Sequence, residues 1–320
     1  MVLPTSMCSA QIARLAADRM NAKGLAEQLG FSRFLALTHS EGCGFGGETM
    51  YQLLYRTYRG YATHPNVAAT LLLEHGCEKI PNDVMRRQFE QAGIPVDRFG
   101  WASVQLDGGI DRALAKVEAW FTARNPGPPP ATDRVPVSWS ALALGLLSAP
   151  PLGEIGAAAV ARLADSILAA GGSVLLPEGD PLLSAPEFRQ MILGKTTPHA
   201  TLAYGQSFTL PGLHLVATDS DHWVENLTAL GACGVHAFVG LVGDSSQQAH
   251  PMLPLLQLAE ADFPGSLTDV DLVLTGDASH DDRALSTLLR SALEGESAPV
   301  ANTGGFVDFQ LSRGLLGVST

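Results

Sequence analysis

Apolar and polar positions follow a repeated order along the first third of the chain. A short run of β-prone apolar residues is followed by a polar loop containing Gly or Pro, and then by a segment with helical spacing of apolar positions. The apolar runs cover residues 2–3, 34–37, 70–73 and 101–106, and the helical patterns cover residues 9–21, 49–59, 82–92 and 110–124. Strands that alternate with helices predict an α/β fold, a parallel sheet with helices on both faces.

The second part of the chain has the same α/β character. An apolar stretch at residues 137–147 precedes an Ala-rich helical pattern at residues 154–170. Strands are predicted at residues 173–176, 213–217, 235–242, 252–258 and 270–275, and further helices at residues 222–230 and 281–293. Apolar residues within 307–316, among them Phe309 and Leu311, predict that this last segment is packed.

A proline-rich stretch separates the two parts. Residues 125–133 read Asn-Pro-Gly-Pro-Pro-Pro-Ala-Thr-Asp, and such a run neither continues a helix nor fits inside a sheet. A chain of 320 residues is long enough for two cores. We therefore predict two consecutive α/β domains, residues 1–125 and 135–320, joined by a linker at residues 126–134.

Composition narrows the classes of partner. The formal net charge is −12 and Lys and Arg form no cluster, so we expect no nucleic acid partner. No apolar run approaches the roughly 18 residues needed to span a bilayer, so we expect no membrane segment. The start of the chain carries no secretion signal, and we expect a cytoplasmic protein. In that setting we expect the four cysteines to be free thiols, metal ligands or reactive groups rather than disulfides.

Several polar loops are predicted to meet at one edge of the first sheet. Strand-to-helix loops of a parallel sheet all emerge at the carboxyl edge, where ligands bind. These loops contain Cys8, residues 39–47, residues 74–79 and residues 107–109. We therefore expect them to converge although they are far apart in sequence.

The loop at residues 39–44, His-Ser-Glu-Gly-Cys-Gly, carries an imidazole, a carboxylate and a thiol within five positions. His39, Glu41 and Cys43 can each bind a metal, and the first two can also move protons. The alternative is a helix-capping loop with a buried cysteine and a solvated histidine.

A second loop repeats this chemistry. His75, Cys77 and Glu78 follow the next predicted strand, and His64 lies between the two loops. Together with Cys8, the thiols suit Fe²⁺, Zn²⁺ or an iron–sulfur cluster. The cysteines lack Cys-x-x-Cys spacing, which argues against a zinc finger. The alternative is a set of structural thiols beside an unrelated pocket.

Other catalytic motifs are missing or weak. The chain contains no Walker A pattern and no G-x-S-x-G nucleophile elbow. The crowded glycines at positions 42, 44 and 46 lack the frame of a dinucleotide-binding fingerprint.

At these residues the sequence resembles the large, catalytic-type part of the altronate/galactarate dehydratase family. The matching pieces are Leu-Pro-Thr at residues 3–5 with Cys8, His-Ser-Glu-Gly-Cys-Gly at 39–44, His-Pro-Asn-Val at 64–67 and Gly-Cys-Glu at 76–78. Shorter similarities at residues 171–174, 250–252 and 309–314 extend the resemblance along most of the chain, with the specific motifs in the first 125 residues.

The resemblance implies a carbon–oxygen lyase, a hydro-lyase that dehydrates a sugar acid such as altronate or galactarate to a 2-keto-3-deoxy acid. It implies that a divalent metal stabilises the enediolate formed when the proton next to the carboxylate is removed. The expected metal is Fe²⁺, with an iron–sulfur cluster or Mn²⁺ as alternatives. The implied catalytic residues are His39, Glu41, His64 and His75, and the implied metal ligands are Cys8, Cys43, Cys77 and Glu78. Which His or Glu acts as the base stays open.

Two departures from the family bear on the substrate. Family members have, or pair with, a small N-terminal β-clip domain, so a separate β-clip subunit is an expected partner beside the anionic hydroxy-acid substrate. Residues 144–149, Leu-Gly-Leu-Leu-Ser-Ala, stand where the family has Cys-Gly-Gly-Ser-Asp. The alternatives are therefore a sulfo-lyase acting on a sulfonated hydroxy acid and a non-catalytic sugar-acid-binding subunit. A homo-oligomer is also left open.

Overall fold

Three short parallel strands form the sheet of the first structural unit. The computed structural model describes residues 1–43, 47–124 and 136–312, and the chain divides into two units between Val135 and Pro136. Within the first unit, β1 (Val2–Pro4), β2 (Leu71–Glu74) and β3 (Gly100–Ser103) lie in the order β1-β2-β3. Both pairings are parallel, as the alternation of strands and helices predicts.

Helices cover both faces of this sheet. They are α1 (Met7–Ala22), α2 (Leu25–Gln28), α3 (Glu48–Ala62), α4 (Asn82–Gln91) and α5 (Ile110–Ala123), with a 3₁₀ turn at Val96–Arg98. Side chains of α1 and α5 pack with Leu71, Leu73 and Ala102 on one face. On the other face, Tyr55 of α3 and Trp101 of β3 pack against Phe89 of α4. The period of two along each strand therefore gives each face its own apolar layer.

The strand predicted at residues 34–37 is wrong. Only Ala36 makes a parallel bridge, to Val2, and no strand forms there. The side chain of Asn21 accepts from the Phe34 N–H and donates to the Phe34 carbonyl oxygen, each at 2.8 Å, so a side chain replaces the strand partner. Phe34 is buried because it packs edge-on against Phe121, and this packing accounts for the apolar pattern.

The second unit contains a larger parallel sheet. Its strands are β4 (Ala143–Ala149), β5 (Ser173–Pro177), β6 (Gly212–Val216), β7 (Ala237–Val242), β8 (Leu255–Glu260) and β9 (Leu272–Leu274). They lie in the order β6-β5-β4-β7-β8-β9, and all the pairings are parallel. Counted from β4, this is the strand order 3-2-1-4-5-6 of doubly wound α/β folds.

The helices of the second unit also lie on both faces of its sheet. They are α6 (Glu154–Ala169), α7 (Pro186–Phe188) with a π turn at Arg189–Leu193, α8 (Trp223–Cys233), α9 (Ala278–Leu293) and α10 (Val300–Thr303), with 3₁₀ turns at Trp139–Ala141, Pro181–Ser184 and Leu267–Asp269. Helices α6 and α9 share one apolar core with the strands. Helix α8 covers the other face, where Gly145 of β4 admits the ring of Phe238 and Leu230 of α8.

One predicted strand begins later than expected, and the predicted burial near the end of the second unit is confirmed. The strand predicted from residue 252 begins at Leu255, because His250 Nδ1 accepts the N–H groups of Met252 and Leu253. Phe309 and Leu311 are buried, as predicted. The predicted linker and residues 313–316 lie outside the described residues. Every helix in the described parts of the chain is too short or too polar to cross a membrane.

Candidate metal centre

Three loops meet at the carboxyl edge of the first sheet. The loop from β1 into α1 contacts the segment at residues 38–43 through the Met7 N–H, which donates to the Glu41 carbonyl oxygen at 2.7 Å. The Lys79 N–H, on the loop after β2, donates to the Gly42 carbonyl oxygen at 3.3 Å. Gly42 has a φ of +102°, and a Cβ there would lie 2.4 Å from the Thr5 carbonyl oxygen. Only glycine permits this close approach of the loops.

The three loops bring three thiols together. Cys8 Sγ lies 3.3 Å from Cys43 Sγ, and the sulfur atoms of Cys8, Cys43 and Cys77 all lie within 4.8 Å of one another. Cys8 and Cys77 are exposed and Cys43 is partly exposed. The predicted convergence of these cysteines is confirmed. Cys233 is buried in α8 and is a core residue, as its small apolar neighbours predict.

Neighbouring thiols, partial burial and Glu78 oppose ionisation of Cys8 and Cys77. The pKa of Cys8 is raised to about 12, first by its hydrogen bond with Cys43 and then by burial and the nearby thiols. The pKa of Cys77 is also raised, by partial desolvation and by the charge of Glu78. Cys8 lies in the first turn of α1, where no acidic side chain is present and the helix end favours negative charge. A bound cation would offset the repulsion among the three thiolates.

Glu78 holds the loop after β2 together. Its Oε1 accepts from the Ser6 hydroxyl at 2.6 Å and from the His75 N–H, and its Oε2 accepts from the Gly76 N–H at 2.7 Å. The side chain is buried. Three donors already share this carboxylate, so its contacts favour a structural role over the predicted role of metal ligand.

His39 is buried beneath the loops. Its Nδ1 accepts from the Glu41 N–H at 3.2 Å and its Nε2 donates to the Pro4 carbonyl oxygen at 3.0 Å. Burial lowers the pKa of His39 to about 4, although Pro4 and Glu41 act in the opposite direction. The ring is therefore neutral at pH 7, with its proton on Nε2 and its position fixed by the backbone.

Glu41 and Tyr58 surround this histidine. Glu41 is buried and its Oε1 accepts from the Ser40 hydroxyl at 3.0 Å. The Tyr58 hydroxyl donates to the Thr5 carbonyl oxygen at 3.0 Å and lies 3.4 Å from His39 Nε2. Burial raises the pKa of Tyr58, with Glu41 as the next cause. These contacts fix the positions of His39, Glu41 and Tyr58.

His75 lies at the surface beside the thiols. Its Nδ1 is 3.5 Å from Cys77 Sγ and 3.5 Å from Gln105 Nε2, and its side chain is partly exposed. His75 is one of the four residues assigned to catalysis. It both contacts a cysteine of the centre and is accessible to solvent.

His64 lies on the connection between α3 and β2. It is buried, stacks against Tyr61 and accepts from the Asn66 N–H at Nδ1. The role of His64 in catalysis stays a prediction.

Among the described residues near the thiols, the sequence patterns do not indicate Ser6, Tyr58 or Gln105. Ser6 is the N-cap of α1 and binds Glu78, and a Ser two positions before a thiol at a helix start could have indicated it. Tyr58 lies in the middle of α3, where nothing in the local pattern marks it. Gln105 packs against Gly76, whose φ of +117° and close approach favour glycine.

The second unit has its own candidate position for ligand binding, at the point between β4 and β7 where the strand order reverses. Ligands of doubly wound folds bind at this point, with anions at the following helix end. Here the Gly156 N–H at the start of α6 donates to Glu260 Oε1 at 2.7 Å, and a Cβ on Gly153 would lie 2.1 Å from that oxygen. A carboxylate of the protein thus occupies the amino end of α6.

The stretch that departs from the family also has a structural role. Residues 144–149 belong to the central strand β4, and Ser148 donates its hydroxyl hydrogen to Asp180 Oδ1 at 2.6 Å. Burial raises the pKa of Asp180 to about 6, although hydrogen bonds from Ser148 and Leu182 lower it.

The site is a cluster of three thiols that solvent can reach, at the edge of a parallel α/β sheet. The comparisons agree with the resemblance noted from the sequence. Residues 1–125 match the family model described as D-galactarate dehydratase/Altronate hydrolase, second domain. A search of curated proteins gave no match. The suspected family is therefore confirmed for the first 125 residues, and its name is that of sugar-acid dehydratases and hydrolases.

Proposed function

We propose that the chain is a metal-dependent hydro-lyase that dehydrates a sugar acid, such as altronate or galactarate, to a 2-keto-3-deoxy acid. The observation that carries the proposal is the cluster of Cys8, Cys43 and Cys77, whose sulfur atoms lie within 4.8 Å of one another. The family match over residues 1–125 supports the reaction class.

The spacing of the sulfur atoms favours a single metal ion. Two thiolates bound to one tetrahedral ion at about 2.3 Å lie roughly 3.8 Å apart. The observed contact of 3.3 Å between Cys8 and Cys43 and the limit of 4.8 Å for all three are close to that spacing. The cysteines of a [4Fe–4S] cluster bind different iron atoms, which requires wider separations. The site therefore fits one ion better than a cluster.

Thiolate ligands favour Fe²⁺ over Mn²⁺, because Mn²⁺ prefers oxygen ligands. Three protein ligands leave an open coordination position, as in catalytic rather than structural sites. When bound, the metal supplies Lewis-acid polarisation of the substrate carboxylate and α-hydroxyl, which makes the neighbouring C–H proton easier to remove.

In the proposed reaction, side chains of the protein carry out the proton transfers. His75 is assigned the proton transfer, because it is partly exposed and its Nδ1 lies 3.5 Å from Cys77 Sγ. Glu41 is the second candidate for proton transfer, since it is a buried carboxylate on the cysteine loop. His39 is assigned a positioning role, because it is neutral and bonded to the backbone of Pro4 and Glu41.

The experiment is a substrate panel under anaerobic conditions. Altronate, galactarate, related aldonates and sulfolactate are incubated with the protein and Fe²⁺, with and without a small β-clip protein, and 2-keto acids are assayed. We expect keto-acid formation from a sugar acid by the wild type and by Cys233→Ser, and its loss in Cys77→Ser.

Other results would select the alternatives. Sulfite release from sulfolactate would replace the hydro-lyase with a sulfo-lyase. Ligand-induced thermal stabilisation without any keto acid across the panel would contradict the enzyme and favour a sugar-acid-binding subunit.

A further inference from the structure

Two of the three thiols are close to the geometry of a disulfide. Cys8 Sγ and Cys43 Sγ lie 3.3 Å apart, whereas a disulfide needs a separation of about 2.05 Å. The two sulfur atoms must therefore approach by roughly 1.3 Å for a bond to form. Cys8 is in the first turn of α1 and Cys43 is on a loop, 35 positions apart in sequence.

The surroundings of the pair allow oxidation. Cys8 is exposed and Cys43 is partly exposed, so a small oxidant can reach them, whereas Cys233 is buried. A second thiol beside an oxidised cysteine can convert its sulfenic acid into a disulfide. Cys43 follows Gly42, whose backbone conformation is open to few other residues.

Cys77 has a different environment. Its Sγ is 3.5 Å from His75 Nδ1, and its loop is held by the three hydrogen bonds to Glu78. Moving this sulfur toward another thiol would lengthen its contact with His75 Nδ1. The geometry therefore distinguishes the adjacent thiols of Cys8 and Cys43 from the thiol of Cys77, which contacts His75 on its own loop.

We propose that Cys8 and Cys43 are a peroxide-oxidisable pair, whose reversible disulfide removes two of the three thiols from the metal centre. One thiolate attacks hydrogen peroxide, so that an S–O bond forms, the O–O bond breaks and hydroxide leaves. The second thiol then attacks the sulfenic sulfur, forming the S–S bond and releasing water. In total, two thiols and one peroxide give one disulfide and two waters. The consequence for metal binding rests on the proposed function, whereas the disulfide itself does not.

The test uses the full chain, reduced and then treated with hydrogen peroxide in the presence of a chelator. We expect two of the four thiols to be lost, in a cross-linked pair of peptides containing Cys8 and Cys43, and to be restored by dithiothreitol. Cys8→Ser and Cys43→Ser should each abolish the cross-link. Cys77→Ser and the control Cys233→Ser should keep it.

A disulfide that involves Cys77, a disulfide between two chains, or oxidation without any disulfide would overturn the proposal. Zn²⁺, which is redox-inert, tests the link to the metal centre. The reduced protein should bind Zn²⁺ at least tenfold more tightly than the oxidised protein, because the disulfide leaves one of the three thiols, and loss of even one second-shell partner costs about 10- to 100-fold in affinity. Equal binding by both forms would overturn that link. Failure of the reduced protein to bind Zn²⁺ or Fe²⁺, with the disulfide still formed, would instead contradict the proposed function alone.

Discussion

The hydroxyl of Ser6 donates to Glu78 Oε1 across 2.6 Å and joins two loops that are 72 positions apart in sequence. Ser6 also caps α1, the helix that carries Cys8, and Glu78 also binds the backbone next to Cys77. This contact therefore connects the start of the helix that carries Cys8 with the loop that carries Cys77.

We predict that Ser6→Ala weakens both the fold and metal binding. The variant leaves the buried Glu78 carboxylate without one donor, which costs about 1–3 kcal/mol of unfolding free energy. Urea unfolding and Zn²⁺ titration measure the two effects. Ser279→Ala is the matched control, because Ser279 is exposed on α9, and it should change neither quantity. Unchanged Zn²⁺ affinity in Ser6→Ala would show that this contact does not support the centre.

We predict that His75→Asn lowers turnover of the sugar acid by about 100-fold or more while the metal stays bound, since proton transfer contributes roughly 10²–10⁴ to such rates. The side chain is partly exposed, so the fold should be retained. Steady-state kinetics together with metal analysis measure this. His222→Asn, an exposed histidine of the second unit, is the control. Loss of metal in parallel with activity would make His75 a ligand instead.

His39 should behave differently from His75. Its pKa is lowered from 6.5 to about 4 by burial, so the unfolded chain takes up a proton before the folded chain does. The resulting loss of stability is absent above pH 6.5 and grows as the pH falls toward 4, to a magnitude on the order of 3 kcal/mol. An NMR titration of the ring, assigned with His39→Gln, should give a midpoint near 4. A midpoint at or above 6.5 would contradict the buried, neutral ring.

We predict that Glu260→Ala destabilises the second unit by about 1 kcal/mol. The change removes the acceptor for the Gly156 N–H at the start of α6 and the negative charge at the positive end of that helix. Thermal unfolding measures the effect, with Glu294→Ala, an exposed residue at the end of α9, as the control. Equal shifts in the two variants would show that the contact with α6 is not stabilising.

The sequence predicted the strand-loop-helix repeat well enough to place Cys8, Cys43 and Cys77 at one edge, because parallel sheets direct all such loops the same way. It could not show which polar residues face inward. His39 and His75 stand on similar loops, yet one is bonded to backbone and buried while the other is partly exposed. This difference depends on contacts with Pro4 that are distant in sequence.

Other features lay beyond sequence patterns for similar reasons. The apolar run near Phe34 is typical of a strand, but the side chain of Asn21 takes its backbone hydrogen bonds. The strand order of the second sheet follows from how helices α6 and α8 cross to opposite faces. Periodicity identifies such strands without stating which of them become neighbours.

The metal content of the protein tests the central claim most directly. We predict about one divalent metal ion, Fe²⁺, per chain after anaerobic purification, and its loss in Cys43→Ser and Cys77→Ser. Cys233→Ser, which changes the buried thiol of α8, should retain the ion. Elemental analysis and visible absorption measure these outcomes. A wild-type protein without stoichiometric Fe, Zn or Mn, or one whose metal survives the loss of Cys43 and Cys77, would contradict a metal centre built from the three thiols.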